Sequence, residues 1–191
     1  MKRMIWWVLK VFAEISAFRY SLLAKLIGFW HVSVRVGQLH DPWGGLVRYA
    51  FCRRTLTSVG SSVYFAHGCN FSYPEVSIGN HVRIGYGTNV GLVDIGDDVR
   101  IGANCNLLSG SRMHGFERTD IPIRLQEGKL ERIEIGKDCW IGANVVIMAD
   151  VGEGSVIGSG SVVTQPVPAW SIAGGNPARV IRSRKVANDD V

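Results

Sequence analysis

The sequence predicts a mainly β chain: a parallel β-helix wound from six-residue units, with an amphipathic helix before it and a short extension after it. Three observations carry that reading. Aliphatic or aromatic residues recur every six positions between residues 59 and 163, a glycine or alanine usually follows each, and a small or β-branched residue stands four positions after each. Glycine is abundant, at 23 residues against 6 prolines, and scattered, which suits repeated tight turns rather than a linker.

The repeat starts at Val59, Phe65 and Phe71. After one extra residue it returns at Ile78, Ile84 and Val90, and after a five-residue step at Ile95, Ile101 and Leu107. Following a long interruption it resumes at Ile135, Ile141 and Ile147, then at Ile157 and Val163. A period of six is not the 3.6 of a helix, nor the alternation of a half-exposed strand. It suits a short flat strand and a tight turn, three of which close a triangular coil. The aliphatic residue points into the prism, and the glycine after it is expected to supply the turn's unusual backbone angles. The small residue sits at the corner; Val63, Cys69, Thr88, Cys105, Cys139 and Ser161 are examples. Cys69, Cys105 and Cys139 thus read as small buried hydrophobes, and four well-separated cysteines fit a reduced, cytosolic compartment. The step from Ile147 to Ile157 is two residues short, so a change of coil geometry is expected there.

Residues 1–58 precede the repeat as a helical and extended segment. Over residues 1–30, Arg3, Lys10, Glu14, Ser21 and Lys25 fall on one narrow helical stripe, and most other positions are apolar. The charges interrupt the apolar run before the roughly 20 residues a spanning helix needs. They also argue against a signal peptide, for which no cleavage site follows. Two placements remain open for this helix. It packs on the prism or a partner subunit, or it lies in a membrane interface with Trp6, Trp7 and Trp30 as anchors, at the inner face of the membrane. Residues 59–164 form the prism, and the polar segment 108–132 projects from it as a loop, where chemistry is commonly placed on a rigid scaffold. Residues 165–191 leave the prism, turn at Gly174, Gly175 and Pro177, and carry Arg179, Arg182, Arg184 and Lys185.

Composition narrows the partners. Hydrophobic residues make up 47% and charged residues 19%, a globular balance. A formal charge of +5 favours phosphates, nucleic acid or anionic lipid. No helix-turn-helix, zinc finger or RNA-binding aromatic motif is present, so no nucleic-acid partner is expected. No metal is expected either: His67, His81 and His114 are 14 and 33 residues apart, unlike the close histidine pairs of β-helical metal-dependent hydratases.

Three stretches carry a family resemblance. They are the M-H-G-F loop at 113–116, IEIGKDCWIGANVVI at 133–147, and GSVIGSGSVVT at 154–164 with IAGGNPARVIR at 172–182. With the repeats, they resemble the left-handed β-helix O-acetyltransferases over residues 59–185. That family includes the maltose, galactoside and nodulation-factor enzymes and those of surface polysaccharide synthesis. The resemblance implies a left-handed helix and a homotrimer with sites between subunits. It implies acetyl coenzyme A as donor and His114 as general base. Trp140 would line the cofactor channel near the thioester, Ala143, Ser159 and Thr164 would contact pantetheine, and Arg179 and Arg182 the phosphates. Asn89 lies about where the family binds the acceptor. Gln165 replaces a common lysine, and Arg112 stands where some relatives have a second histidine.

The chemistry suits these residues. A sugar hydroxyl holds its proton tightly, and a free imidazole, neutral at pH 7, can take that proton as the oxygen attacks a thioester carbon. Such general-base help is worth about 10²–10⁴-fold. A backbone N–H near Trp140–Gly142 would steady the tetrahedral oxyanion. The expected activity is therefore O-acetylation of a sugar or glycolipid in polysaccharide or lipopolysaccharide synthesis. The alternatives are N-acylation of an amino sugar or sugar nucleotide, and a non-enzymatic β-helical scaffold subunit.

Overall fold

The computed structural model describes residues 2–185, with side chains from Met4 onward; the last six residues of the extension and the side chain of Arg3 lie outside the described part. Three helices come first: α1 (Lys2–Ile27), α2 (Phe29–Gly37) and α3 (Trp43–Thr55). Gly28, at φ 95°, breaks the first from the second. From Ser58 onward the chain winds as a parallel β-solenoid with three faces, as the six-residue period predicts. The first face has four strands, the second seven and the third five.

Register follows the repeat. On the first face Val59 pairs with Ile78, Ile78 with Ile95, and Ile95 with Ile135. On the second, Phe65, Ile84, Ile101, Ile141 and Ile157 stand in one file, and on the third Phe71, Val90, Leu107, Ile147 and Val163. Every member of the second and third files is buried. The corner residues Val63, Cys69, Thr88, Cys105, Cys139 and Ser161 are buried as well. Burial pushes the cysteine thiols up, Cys69 to about 12. The Cys105 thiol donates to the Gly142 carbonyl at 3.1 Å and the Cys139 thiol to the Gly152 carbonyl at 3.2 Å.

Three details differ from the sequence reading. The glycine after each inward residue does not supply a left-handed turn. A Cβ on Gly85 would come within 2.4 Å of the Gly102 backbone, and one on Gly142 within 2.5 Å of the Ser159 nitrogen, so the need is close approach of stacked coils. The left-handed angles fall two residues later, at Gly68, Gly87, Asn104, Asn144 and Gly160 on one edge and at His81, Asp98 and Asp138 on another. Second, the short step after Ile147 is absorbed by Val151. It bridges Ile135 and Val167 and fills the first-face position, so the shortening falls in the turn between the third and first faces. Third, the C-terminal stretch does not leave the prism at residue 165. Val167 continues the first face, and the strand Ser171–Gly175 continues the second in parallel with Val156–Ile157. Only then does the chain reverse, and Ala178–Ser183 pairs antiparallel along the same edge.

The helices cap the first coil. The α2 hydroxyl of Ser33 accepts the Phe71 N–H at 2.8 Å. Arg48 of α3 is 1% exposed. It donates to the carbonyls of Phe65 at 2.9 Å and Gly37 at 3.3 Å and pairs with Asp41, so every arm of the buried fork is used. α1 lies outside this pair, with Ala13 and Ala17 buried beneath it and Glu14 bonded to Arg54 at 2.7 Å.

Candidate active site

The interruption of the repeat leaves the prism at the turn between the third and first faces, after Leu107, and returns at Ile133. Its base is stitched closed. Buried Ser109 accepts the Leu92 N–H at 2.9 Å and, through its carbonyl, the Glu131 N–H at 2.8 Å. The Lys129 N–H meets the Arg112 carbonyl at 2.7 Å. Gly115 and Gly128 allow the two legs to touch, since a Cβ on Gly128 would fall 2.0 Å from the Met113 oxygen. His114 sits where the legs part, exposed, in an open cavity of about 290 Å³ with Arg112, Glu117, Glu127 and Lys129. Glu117, a candidate to orient the ring, is otherwise engaged. It accepts the Phe116 N–H at 3.1 Å and faces Arg112 at 3.6 Å, and the backbone N–H groups hold its carboxyl below the usual range. Farther out, Gln126 braces the tip by bonding both the N–H and the carbonyl of Arg118, at 3.0 and 2.7 Å. The tip exposes Phe116, Ile123 and Leu125, each close to 60%.

The expected cofactor residues lie elsewhere on the prism. Trp140, 60% exposed, points outward from the second face. Across that face Trp140, Val156, Ile172 and Arg182 stand in one register row. At about 4.8 Å between neighbouring strands, the row runs roughly 14 Å from an aromatic ring to a guanidinium. Arg179 and Arg182 are exposed and, among the described residues, form no ion pair. Ala143 and Ser159 meet at the turn between the second and third faces, where the Ser159 hydroxyl accepts the Ala143 N–H at 3.2 Å. Thr164, half-buried, follows the last strand of the third face. The N–H groups of Trp140 and Gly142 are spent on the carbonyls of Ser155 and Ile157 at 2.9 and 2.8 Å. The backbone oxyanion donor expected in this block is therefore not free, because parallel stacking consumes it.

The structure brings Ala143 to Ser159 and lines up Trp140 with Arg182, but it sets His114 apart from all four. The loop springs from the one edge of a three-faced prism that does not border the second face. Asn89 stands on the third face as the middle of an asparagine ladder. It accepts from Asn70 at 2.6 Å and donates to Asn106 at 2.9 Å. The 19- and 17-residue spacings of these three asparagines equal one coil each, a signal present in the sequence. Arg184 clasps the hairpin to the prism through the Asp138 carboxylate at 2.9 Å and the Gly154 carbonyl at 2.7 Å.

The family description "Bacterial transferase hexapeptide (six repeats)" matches residues 132–165, and "Hexapeptide repeat of succinyl-transferase" matches residues 75–109. Both matches are to hexapeptide repeats, the six-residue unit that winds the prism. The chain is 37% identical to the galactoside O-acetyltransferase of Escherichia coli over 130 residues, which are 63% of this chain and 57% of that one. Among solved structures, the maltose O-acetyltransferase of Clostridium difficile superposes with a TM-score of 0.71 at 26% identity, over 86% of this chain and 89% of the other. A hexapeptide-repeat acetyltransferase of Vibrio cholerae, solved with acetyl coenzyme A, has a TM-score of 0.59 at 27% identity, over 91% and 88% of the two chains. The matched region covers 64% of the length of a putative acetyltransferase of Staphylococcus aureus, 57% of the Escherichia coli enzyme and 47% of a putative acetyltransferase of Schizosaccharomyces pombe. The resemblance to the hexapeptide-repeat O-acetyltransferases seen in the sequence holds.

Proposed function

We propose that this chain moves an acetyl group from acetyl coenzyme A to a sugar hydroxyl, in polysaccharide or lipopolysaccharide synthesis, and works as a homotrimer with each site between two copies. The observation that carries the reading is the separation of His114 from the Trp140–Arg182 row on one prism. A base on one edge and a cofactor track on the far face act together when a second copy brings its loop against the first copy's second face. The apolar loop tip of Phe116, Ile123 and Leu125 supplies a surface for that contact.

The row also fits the donor. Its Trp140 end offers an aromatic wall for the thioester, Val156 and Ile172 an apolar strip for the pantetheine arm, and Arg182 with Arg179 forked donors for phosphate. With the Ala143 N–H already bonded, Ser159 meets the arm with its hydroxyl. The imidazole of His114 takes the proton of the acceptor hydroxyl as its oxygen attacks the thioester carbon. Collapse of the tetrahedral intermediate expels the coenzyme A thiolate, which receives that proton. No acyl-enzyme is formed, and the buried, protonated cysteines take no part.

The test is release of free thiol from acetyl coenzyme A with a panel of sugars, amino sugars and an extracted glycolipid pool, comparing the wild type with His114→Ala. Acceptor-dependent release that collapses in the variant while coenzyme A binding persists supports the reading and names the acceptor class. Release with amino sugars alone replaces O-acetylation by N-acylation. Absence of release, or equal release by the variant, overturns it in favour of a scaffold or another base.

A further inference from the structure

We infer that the outward face of α1 docks this protein on an anionic lipid surface, with the helix lying in the plane of the interface. The helix turns Ala13, Ala17, Tyr20, Leu23 and Ala24 to the protein and most of its other large apolar residues away from it. Ala13 and Ala17 are buried against α3. Met4, Val8, Val11, Ile15, Leu22 and Leu26 follow one another at helical steps on the other side, and all are exposed, Leu26 to 81%. Over 26 residues at about 1.5 Å each, that face runs close to 40 Å. It is far larger than the scattered apolar residues of an ordinary surface.

Charge says what covers it. Between Lys2 and Ile27 the sequence has five cations and one acid, Glu14, and Glu14 is already bonded to Arg54. A second copy of so cationic a helix, laid along the first, would meet like charge. An anionic headgroup layer meets the opposite sign, and each cation near such a surface adds about fivefold in binding. Arg19, Lys10 and Lys25 are exposed beside the apolar face, placed to reach headgroups while their stems lie along it. Trp7, 67% exposed, supplies an aromatic anchor at the helix start. No helix among the described residues is long and apolar enough to cross a membrane, so the contact is peripheral. The helical cap sits on the first coil, and the His114 loop leaves after the third. The active-site loop thus lies about two coil spacings, near 10 Å, along the prism from the coil the cap covers. If the proposed activity holds, an acceptor carried on lipid is within reach; the docking itself does not depend on that activity.

The full chain is tested by co-sedimentation with vesicles of phosphatidylcholine alone and of phosphatidylcholine with phosphatidylglycerol. The wild type is expected to pellet with the anionic vesicles and to bind the neutral ones at least tenfold less. Ile15→Ser with Leu22→Ser changes two exposed residues, so the melting temperature should stay the same while anionic binding falls at least tenfold. Lys10→Glu with Lys25→Glu should remove the preference for phosphatidylglycerol. Wild type that stays in the supernatant, or a serine double variant that binds as wild type does, overturns the proposal. A serine double variant of lower oligomeric mass in sedimentation velocity also overturns it, by assigning the face to a second copy.

Discussion

The prism and the first helix handle apolar side chains in opposite ways. In the prism every large aliphatic residue of the repeat from Phe65 to Val163 is inside, and the corners are trimmed to cysteine, threonine, serine or valine so that coils can stack. In α1 Ala13 and Ala17 are inside, while Trp7, Phe12, Ile15, Phe18, Leu22 and Leu26 face out. The prism is satisfied by its own neighbouring coils. The helix carries a surface whose partner is not part of this chain's own core, so its sequence is written for something outside. The His114 loop belongs with the helix in this respect: its stitched base serves the fold, and its apolar tip faces outward.

The sharpest way to break the comparison is at the loop. His114→Ala is expected to lower turnover about 10²–10⁴-fold with the melting temperature unchanged, because the side chain is exposed and general-base help is worth that much. Next come the two treatments of apolar residues. Ile141→Ala, in the second-face file, should cost about 2–5 kcal/mol in denaturant unfolding. Leu22→Ala, on the outward face of α1, should stay within about 0.5 kcal/mol. Equal losses would mean that the helix face is part of the core.

A smaller effect separates two kinds of glycine. Gly160 has nothing within 4 Å of a built Cβ but sits at φ 73°, so alanine there should cost about 1–2 kcal/mol and asparagine less. At Gly142 the obstacle is the Ser159 backbone at 2.5 Å, so asparagine should be no better than alanine. The smallest expected signal is chemical. Burial raises the Cys52, Cys69, Cys105 and Cys139 thiols, so the native protein at pH 8 should resist alkylation that the unfolded chain undergoes at once.

Much of this was legible in the sequence, for physical reasons. A six-residue period maps one residue in six to the interior, so the files led by Phe65 and Phe71 could be read off directly, and the small corner residues with them. The role of the following glycine is not legible, because its constraint comes from a neighbouring coil, as for Gly85 against Gly102, and not from its own turn. The end of the prism is hidden, because Val167 and Ser171–Gly175 keep the pairing after the Ile-Gly repeat has stopped. Arg48 gives no sequence signal, because a buried arginine is recognised only by the carbonyls around it, and those come from Gly37 and Phe65. At the candidate site, the W-I-G residues at 140–142 and the G-N-P-A-R tail at 175–179 both lie along the strands of the second face. That His114 stands apart from that surface is a property of the winding, which places the loop on one edge and the row on the face opposite.

The central claim is that the base and the cofactor row act together across two copies. The direct measurement is complementation: His114→Ala and Trp140→Ala proteins, each of low activity, are unfolded together, refolded as mixed oligomers and assayed for acetyl transfer. Restored activity, in proportion to the fraction of interfaces that pair an intact His114 with an intact Trp140, is the predicted result. Mixed oligomers that form but remain as inactive as either parent would contradict a site shared between copies.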